Sequence, residues 1–178
     1  LYETAERNTH IRKKSVSAIE LIGSFMEERK NTGRVYLQNV DHANTHGAFD
    51  EEIAPIHQSN LCQEIDLPTK PLNSFEDEAG EISLCTLAAI NWGNIRTTRD
   101  FERVCRLAVR ALDELLDYQN YPVKAAERST MHRRPLGVGI VNFAYWLAKN
   151  DLNYQDIDTK GLELVDEWAE AWSYNLIK

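Results

Sequence analysis

The sequence has no long hydrophobic run, no excess of positive charge, and only three cysteines. Each shortage removes a class of function. No apolar stretch approaches the ~20 residues that a bilayer-spanning helix needs. The first residues also lack the charged-then-apolar order of a secretory signal, so the chain reads as cytoplasmic, with no membrane partner. Lys and Arg number 20 against 28 Asp and Glu, a net charge of −8. Phosphate backbones select clustered basic side chains, so no nucleic-acid partner is expected. The one compact basic cluster, Arg133-Arg134 with Arg128 and His132 beside it, has Pro135 and Gly137 next to it and reads as a solvated or structural loop. Cys62, Cys85 and Cys105 are odd in number and lack the dense spacing of a secreted disulfide scaffold. They are expected to be reduced at rest, which allows one to be kept for its reactivity. There is neither an internal repeat nor a low-complexity segment.

What is present suits a globular chain: 178 residues, 43% of them hydrophobic, are enough for one core. The chain opens at Leu1 without Met and ends at Lys178 inside a helical pattern, so both ends are expected to be internal to a longer protein. Apolar residues at three- and four-residue steps predict an amphipathic helix from about Thr9 to Lys30, stopped by Asn31-Thr32-Gly33. Arg34 to Val40 reads as a strand of a buried sheet. Residues 41 to 60 have no period and predict a long loop of the functional kind. Asn60 to Leu67 reads as extended and halted by Pro68, 74 to 80 as an acidic turn, and Glu81 to Ala89 as a second short apolar run. A strong stripe predicts a helix over Arg99 to Tyr118. Gly137 to Val141 is a strand leading into a helix through Leu147, and a last helix covers Gly161 to Lys178. Alternation of this kind is α/β and favours a parallel sheet or barrel.

The stretch with most chemistry is Gln58-Ser-Asn-Leu-Cys-Gln-Glu64. In an extended chain, residues two apart share a face at ~6.6 Å per step. Asn60, Cys62 and Glu64 would then point the same way and present an amide, a thiol and a carboxylate to a ligand about the size of a sugar ring. The same pattern also suits a small buried apolar residue, which is what a strand cysteine among apolar neighbours most often is. Cys85 after Ile82 and Leu84 has that same reading, and Cys105 on the helical stripe is core. His42 and His46 are four apart, but with Gly47 and two Asn nearby the segment is not expected to be helical, and no metal site is expected. Gly137-x-Gly139 alone is too little for a phosphate cradle.

Several blocks, in order and at these distances, resemble the large subunit of class I ribonucleotide reductases. They are Val40-Asp-His-Ala-Asn-Thr-His46, Gln58-Ser-Asn-Leu-Cys-Gln-Glu-Ile65, Leu67-Pro-Thr-Lys-Pro71 and Leu84-Cys-Thr-Leu87. Leu115-Leu-Asp-Tyr118 with Tyr121-Pro122, and Arg133-Arg134 with Leu136-Gly-Val-Gly139, complete the series. The similarity covers essentially all of residues 1–178, and Asn-Leu-Cys-x-Glu is its most specific part. The resemblance implies an internal segment of a ten-stranded α/β barrel with a central finger loop, here about residues 41–66.

The resemblance also implies roles. Cys62 becomes a thiyl radical that takes the 3′ hydrogen of a ribonucleoside diphosphate, Glu64 is the general base for the 3′-hydroxyl, and Asn60 holds the sugar hydroxyls. Cys85 is one of the reducing thiol pair. A sulfur radical suits reversible exchange with a ribose C–H, and a barrel interior would keep solvent from it. No cofactor or metal is expected in this segment. The radical would come from a metal-containing small subunit, reducing equivalents from thioredoxin or glutaredoxin, and ATP and deoxynucleotide effectors would bind elsewhere in the large subunit, itself a dimer. The relay tyrosines of the family also belong elsewhere, so Tyr36, Tyr118 and Tyr145 are expected to be packing residues. Gln63 and Asp66 depart from the less polar residues the pattern leads one to expect. With about four of ten barrel strands and unpaired edges, the isolated segment is expected to be unstable or to aggregate. Two other readings compete: a non-catalytic fragment that only associates with the rest of the enzyme, and a related glycyl-radical barrel.

Overall fold

The computed structural model describes residues 2–178, which divide into two units at Asn39/Val40. The first unit holds α1 (Tyr2–Arg7) and α2 (Ala18–Thr32). Helix α2 is shorter at its start than the apolar period suggested because Ser17 caps it, its hydroxyl accepting from the Glu20 N–H at 3.4 Å. Gly33, at φ 66°, closes the other end with its N–H on the Arg29 carbonyl. No residue of α2 is buried within the chain. The strand expected over 34–40 does not form: 34–39 are irregular and Val40 opens a helix. A strand needs a neighbour for its amides and carbonyls, and here the Val35 carbonyl is taken instead by the Arg29 guanidinium, 2.6 Å away.

The second unit begins with α3 (Val40–Thr45), so the long loop expected from 41 starts as a helical turn. Irregular chain follows to β1 (Leu87–Asn91), which lies later than the apolar run at 81–89 suggested. Then come α4 (Asp100–Tyr118), α5 (Lys124–Arg133), β2 (Gly137–Val141), α6 (Phe143–Lys149) and α7 (Leu162–Ile177). Strands β1 and β2 pair in parallel, Leu87 opposite Gly137 through Asn91 opposite Val141. The connection between them is helical, as parallel neighbours require. Among the described residues these are the two strands of the sheet, against the four expected; the stretches 34–40 and 60–67 lack the partner that would make them strands. Gly137 belongs to this packing and not to a phosphate cradle: a Cβ there would stand 2.6 Å from Leu87.

Helix α4 buries Phe101, Cys105, Leu112 and Leu116, a stripe at four- and seven-residue steps. Asp100 secures its start by accepting from the Thr97 N–H at 3.1 Å. The core gathers Ile90 of β1, Trp92 just after it, Phe101 and Cys105 of α4, Trp146 and Leu147 of α6, and Trp168 of α7. Its rings meet edge-on or tilted, Trp92 to Trp146 at 5.3 Å and Trp146 to Trp168 at 4.9 Å. Tyr36, Tyr118 and Tyr145 are not packing residues but exposed ones.

The basic cluster lies on α5 and its end, not in a loop. Arg133 pairs with Glu81 at 2.8 Å. Arg134, in the left-handed region at φ 44°, holds Asp113 and Asp117 of α4 at 2.6 and 2.8 Å. Its role is structural: it ties the end of α5 to α4.

Candidate functional site

The residues singled out from sequence fall on the irregular chain between α3 and β1. Asn60 to Gln63 is a tight turn, closed by the Gln63 N–H on the Asn60 carbonyl at 3.1 Å, with Gln63 at φ 58°. The extended face proposed for Asn60, Cys62 and Glu64 is therefore wrong. Without a neighbouring strand, backbone groups here are satisfied by the turn and by side chains, which Asn and Ser do readily. Asn60 opens the turn, Cys62 lies within it and Glu64 follows it by one residue. Cys62 and Glu64 are exposed and Asn60 is half-buried. Cys62 is a free thiol open to solvent, so the described residues do not supply the shielding that radical chemistry calls for.

Asn60 is both anchor and donor. Its Oδ1 accepts from the Ile65 N–H at 3.3 Å, while its Nδ2 is buried with no protein partner. A buried, unpartnered donor at a loop tip is costly unless something else accepts from it.

Behind the turn the chain is pinned at three places that sequence reasoning missed. Asn44 of α3 is buried and clasps Ile56 on both sides, its Nδ2 donating to the carbonyl and its Oδ1 accepting from the N–H, each at 2.8 Å. Thr69 accepts through its hydroxyl from the His57 and Gln58 N–H groups at 3.0 and 3.2 Å. Ser59 donates to the Ile65 carbonyl at 2.6 Å. Only their polar side chains within an aperiodic stretch hinted at this use.

Cys85 is not on the turn, yet the residues before it share one cleft with the residues before the turn. Lys70 and Glu81 exchange backbone hydrogen bonds at 3.0 Å each. A cleft of about 420 Å³ opens between His57, Gln58 and Ser59 on one side and Glu81, Ile82 and Ser83 on the other. Cys62 follows the first wall by three residues and Cys85 the second by two. Cys85 is exposed and free, not packed into a strand. Cys105 is buried in the core, where desolvation pushes its thiol pKa up, and it stays a protonated, inert side chain.

The His42–His46 pair lies on a helical turn after all, the His46 N–H reaching the His42 carbonyl at 2.9 Å and the rings 5.5 Å apart. No group of three or more potential metal ligands occurs among the described residues. Nor is any helix there long and apolar enough to cross a membrane.

Comparison with known proteins agrees with the motif reading. Residues 1–178 match the family model described as ribonucleotide reductase, barrel domain. The chain is 52% identical over 178 residues to the ribonucleoside-diphosphate reductase subunit alpha of Buchnera aphidicola from Acyrthosiphon pisum, covering all of this chain and 23% of that protein. It is 54% identical over 178 residues to the ribonucleoside-diphosphate reductase 1 subunit alpha of Escherichia coli, with the same coverage. The subunit alpha of Enterobacteria phage T4 is 46% identical over 181 residues. The chain thus spans about a quarter of the length of these relatives, 23% in each case.

Proposed function

Since the chain belongs to the ribonucleotide reductase barrel-domain family, we propose that it works within a large subunit that reduces ribonucleoside diphosphates to 2′-deoxyribonucleoside diphosphates, with Cys62 as the thiol that attacks the sugar. The observation that supports this reading is the turn at 60–63, with a free, exposed thiol at Cys62, a half-buried amide with an unpartnered donor at Asn60, and an exposed carboxylate on Glu64, the residue that follows it.

Cys62, oxidised to a thiyl radical, takes the hydrogen from the 3′ carbon, and Glu64 accepts the proton of the 3′-hydroxyl. Glu64 needs hydrogen-bond reach more than an unusual acidity for this step. The Nδ2 of Asn60 donates to a sugar oxygen, which satisfies the buried amide. Loss of the 2′-hydroxyl as water consumes two electrons and two protons. Cys85 supplies half of them and a second thiol outside residues 1–178 the other half, so the pair ends as a disulfide. Cys62 then returns its hydrogen to the 3′ carbon. The radical originates on a metal-containing small subunit, and thioredoxin or glutaredoxin restores the thiols. The two parallel strands β1 and β2 are part of a ten-stranded α/β barrel whose interior excludes water from Cys62, and the protein acts in the cytoplasm.

The test is turnover of a ribonucleoside diphosphate by the complete large subunit carrying these residues, reconstituted with its radical-generating partner. Cys62→Ser is expected to abolish product, whereas Cys105→Ser is expected to retain it. Turnover that survives Cys62→Ser would leave the segment a scaffold and defeat the proposal.

A further inference from the structure

The turn that carries Cys62 is a single excursion of the chain, with no sheet ladder to fix its shape. Its geometry depends on the bonds across its neck. Working outward from the thiol, the first is Gln63 N–H to the Asn60 carbonyl at 3.1 Å. Next come two bonds to opposite sides of Ile65: Ser59 Oγ to its carbonyl at 2.6 Å, and its N–H to Asn60 Oδ1 at 3.3 Å. Thr69 and then Asn44 secure the chain further back. A hydroxyl carries one proton. In Ser59 the shorter bond to Ile65 takes it, and Asn60 Oδ1, 3.2 Å from the same oxygen, receives from Ile65 instead. The orientation of the Asn60 amide follows from this, and with it the direction of the unpartnered Nδ2.

We propose that Ser59 is a positioning residue for chemistry at Cys62: its hydroxyl latches the two ends of the loop, so that thiol, amide and carboxylate meet the sugar in fixed relation. The proposal rests on the function assigned above. Reacting groups must be held within about 0.5 Å of productive geometry, and residues 60–64 have no packed core of their own to do this. Removing the hydroxyl leaves one half-buried carbonyl that water can reach. The fold survives, but the register of the loop is loosened. Such a change slows the chemical step and leaves ground-state binding of the substrate nearly intact.

The experiment uses the complete large subunit with its radical-generating partner and the variants Ser59→Ala, Ser59→Thr and Cys62→Ser. Ser59→Ala is expected to lower kcat by about tenfold or more with KM within about twofold, an effect of misplacement on the chemical step. Ser59→Thr, which keeps the hydroxyl, restores most of the rate, and the melting temperature of both variants stays that of the unsubstituted subunit. Independently of turnover, iodoacetamide labelling resolved by peptide is expected to speed up at Cys62 in Ser59→Ala and to stay constant at Cys85. Unchanged kcat and unchanged labelling would overturn the latch. So would an equal loss in the Ala and Thr variants with a lowered melting temperature, because that is the mark of a merely structural residue. An inactive Cys62→Ser beside a fully active Ser59→Ala rejects the latch alone, whereas an active Cys62→Ser rejects the function on which it rests.

Discussion

Around Trp92 the rings of Phe101, Phe143, Trp146 and Trp168 all lie within 5.7 Å, whereas residues 57–67, on either side of Cys62, include no buried residue, and the chain there is held by individual hydrogen bonds to Ser59, Asn60, Thr69 and Asn44. Both regions belong to the unit from Val40 to Lys178. Burial is non-directional and shared among many contacts, so the aromatic region behaves as one block. A hydrogen bond is directional and fixes one atom against another. The loop trades collective stability for placement, which is what the role proposed for Cys62 requires. It follows that damage to the first region should spread and damage to the second should stay where it is made.

Trp92→Ala gives the largest expected effect. Trp92 is 1% exposed and touches rings from α4, α6 and α7. Its truncation is expected to cost about 3–5 kcal/mol, the range for a buried Trp or Phe. Amide hydrogen exchange in the complete subunit should show protection lost together over β1, β2, α4 and α7. Loss confined to the neighbours of residue 92 would show that the block is not cooperative.

Asn44→Ala comes next. The side chain makes two bonds to Ile56 from a buried position, besides one to the Val40 carbonyl, and removing it leaves the buried donor and acceptor of Ile56 unpaired, at a cost of about 1–3 kcal/mol. Faster exchange is expected at Ile56 and along 57–65, with β1 and β2 as protected as before. If β1 and β2 open as well, the loop is an extension of the core and the contrast fails.

The same contrast explains what could be read from sequence. Helices α4 and α7 and strand β2 bury or half-bury apolar residues at regular steps, so hydrophobic period alone places them within a residue or two. Helix α5 was invisible because it buries Ala125, Ala126, Ser129 and Thr130, small or polar residues that leave no apolar stripe. The stretch 34–40 has strand-like composition, but strand formation depends on a partner that local sequence does not show. In the site, Cys62, Asn60 and Glu64 were legible as a motif, while their turn was not. Its shape is decided by which side-chain oxygen meets which amide, and Ser59, Thr69 and Asn44 carry no periodic signature. His42 and His46 failed in the opposite sense: nearby Asn and Gly suggested a loop, yet one helical turn forms there.

The smallest expected effect concerns pH and lies at the edge of the packed block, where a directional contact replaces burial. The Arg134 guanidinium donates to both carboxylate oxygens of Asp117, at 3.0 and 2.8 Å, and holds its pKa below the ordinary 3.8. A carboxyl with a depressed pKa in the folded state contributes stability that is complete above its unfolded value and drains away as the pH falls through the lowered one. Between neutral pH and about 4, Asp117→Asn should therefore differ from the unsubstituted protein by a constant amount. That amount is read as faster exchange of the Arg134 N–H, which is bonded to the Thr130 carbonyl at 2.7 Å. Below 3.8 the difference should shrink and then vanish, because the unsubstituted carboxyl is itself becoming neutral. The pair is partly exposed, 32% at Arg134 and 53% at Asp117, so water and salt screen it and the change stays local. A difference that grows as the pH falls, or that reaches the exchange of β1 or the 57–65 segment, would mean that the α4–α5 tie carries load for the core and that the border between the two regions runs elsewhere.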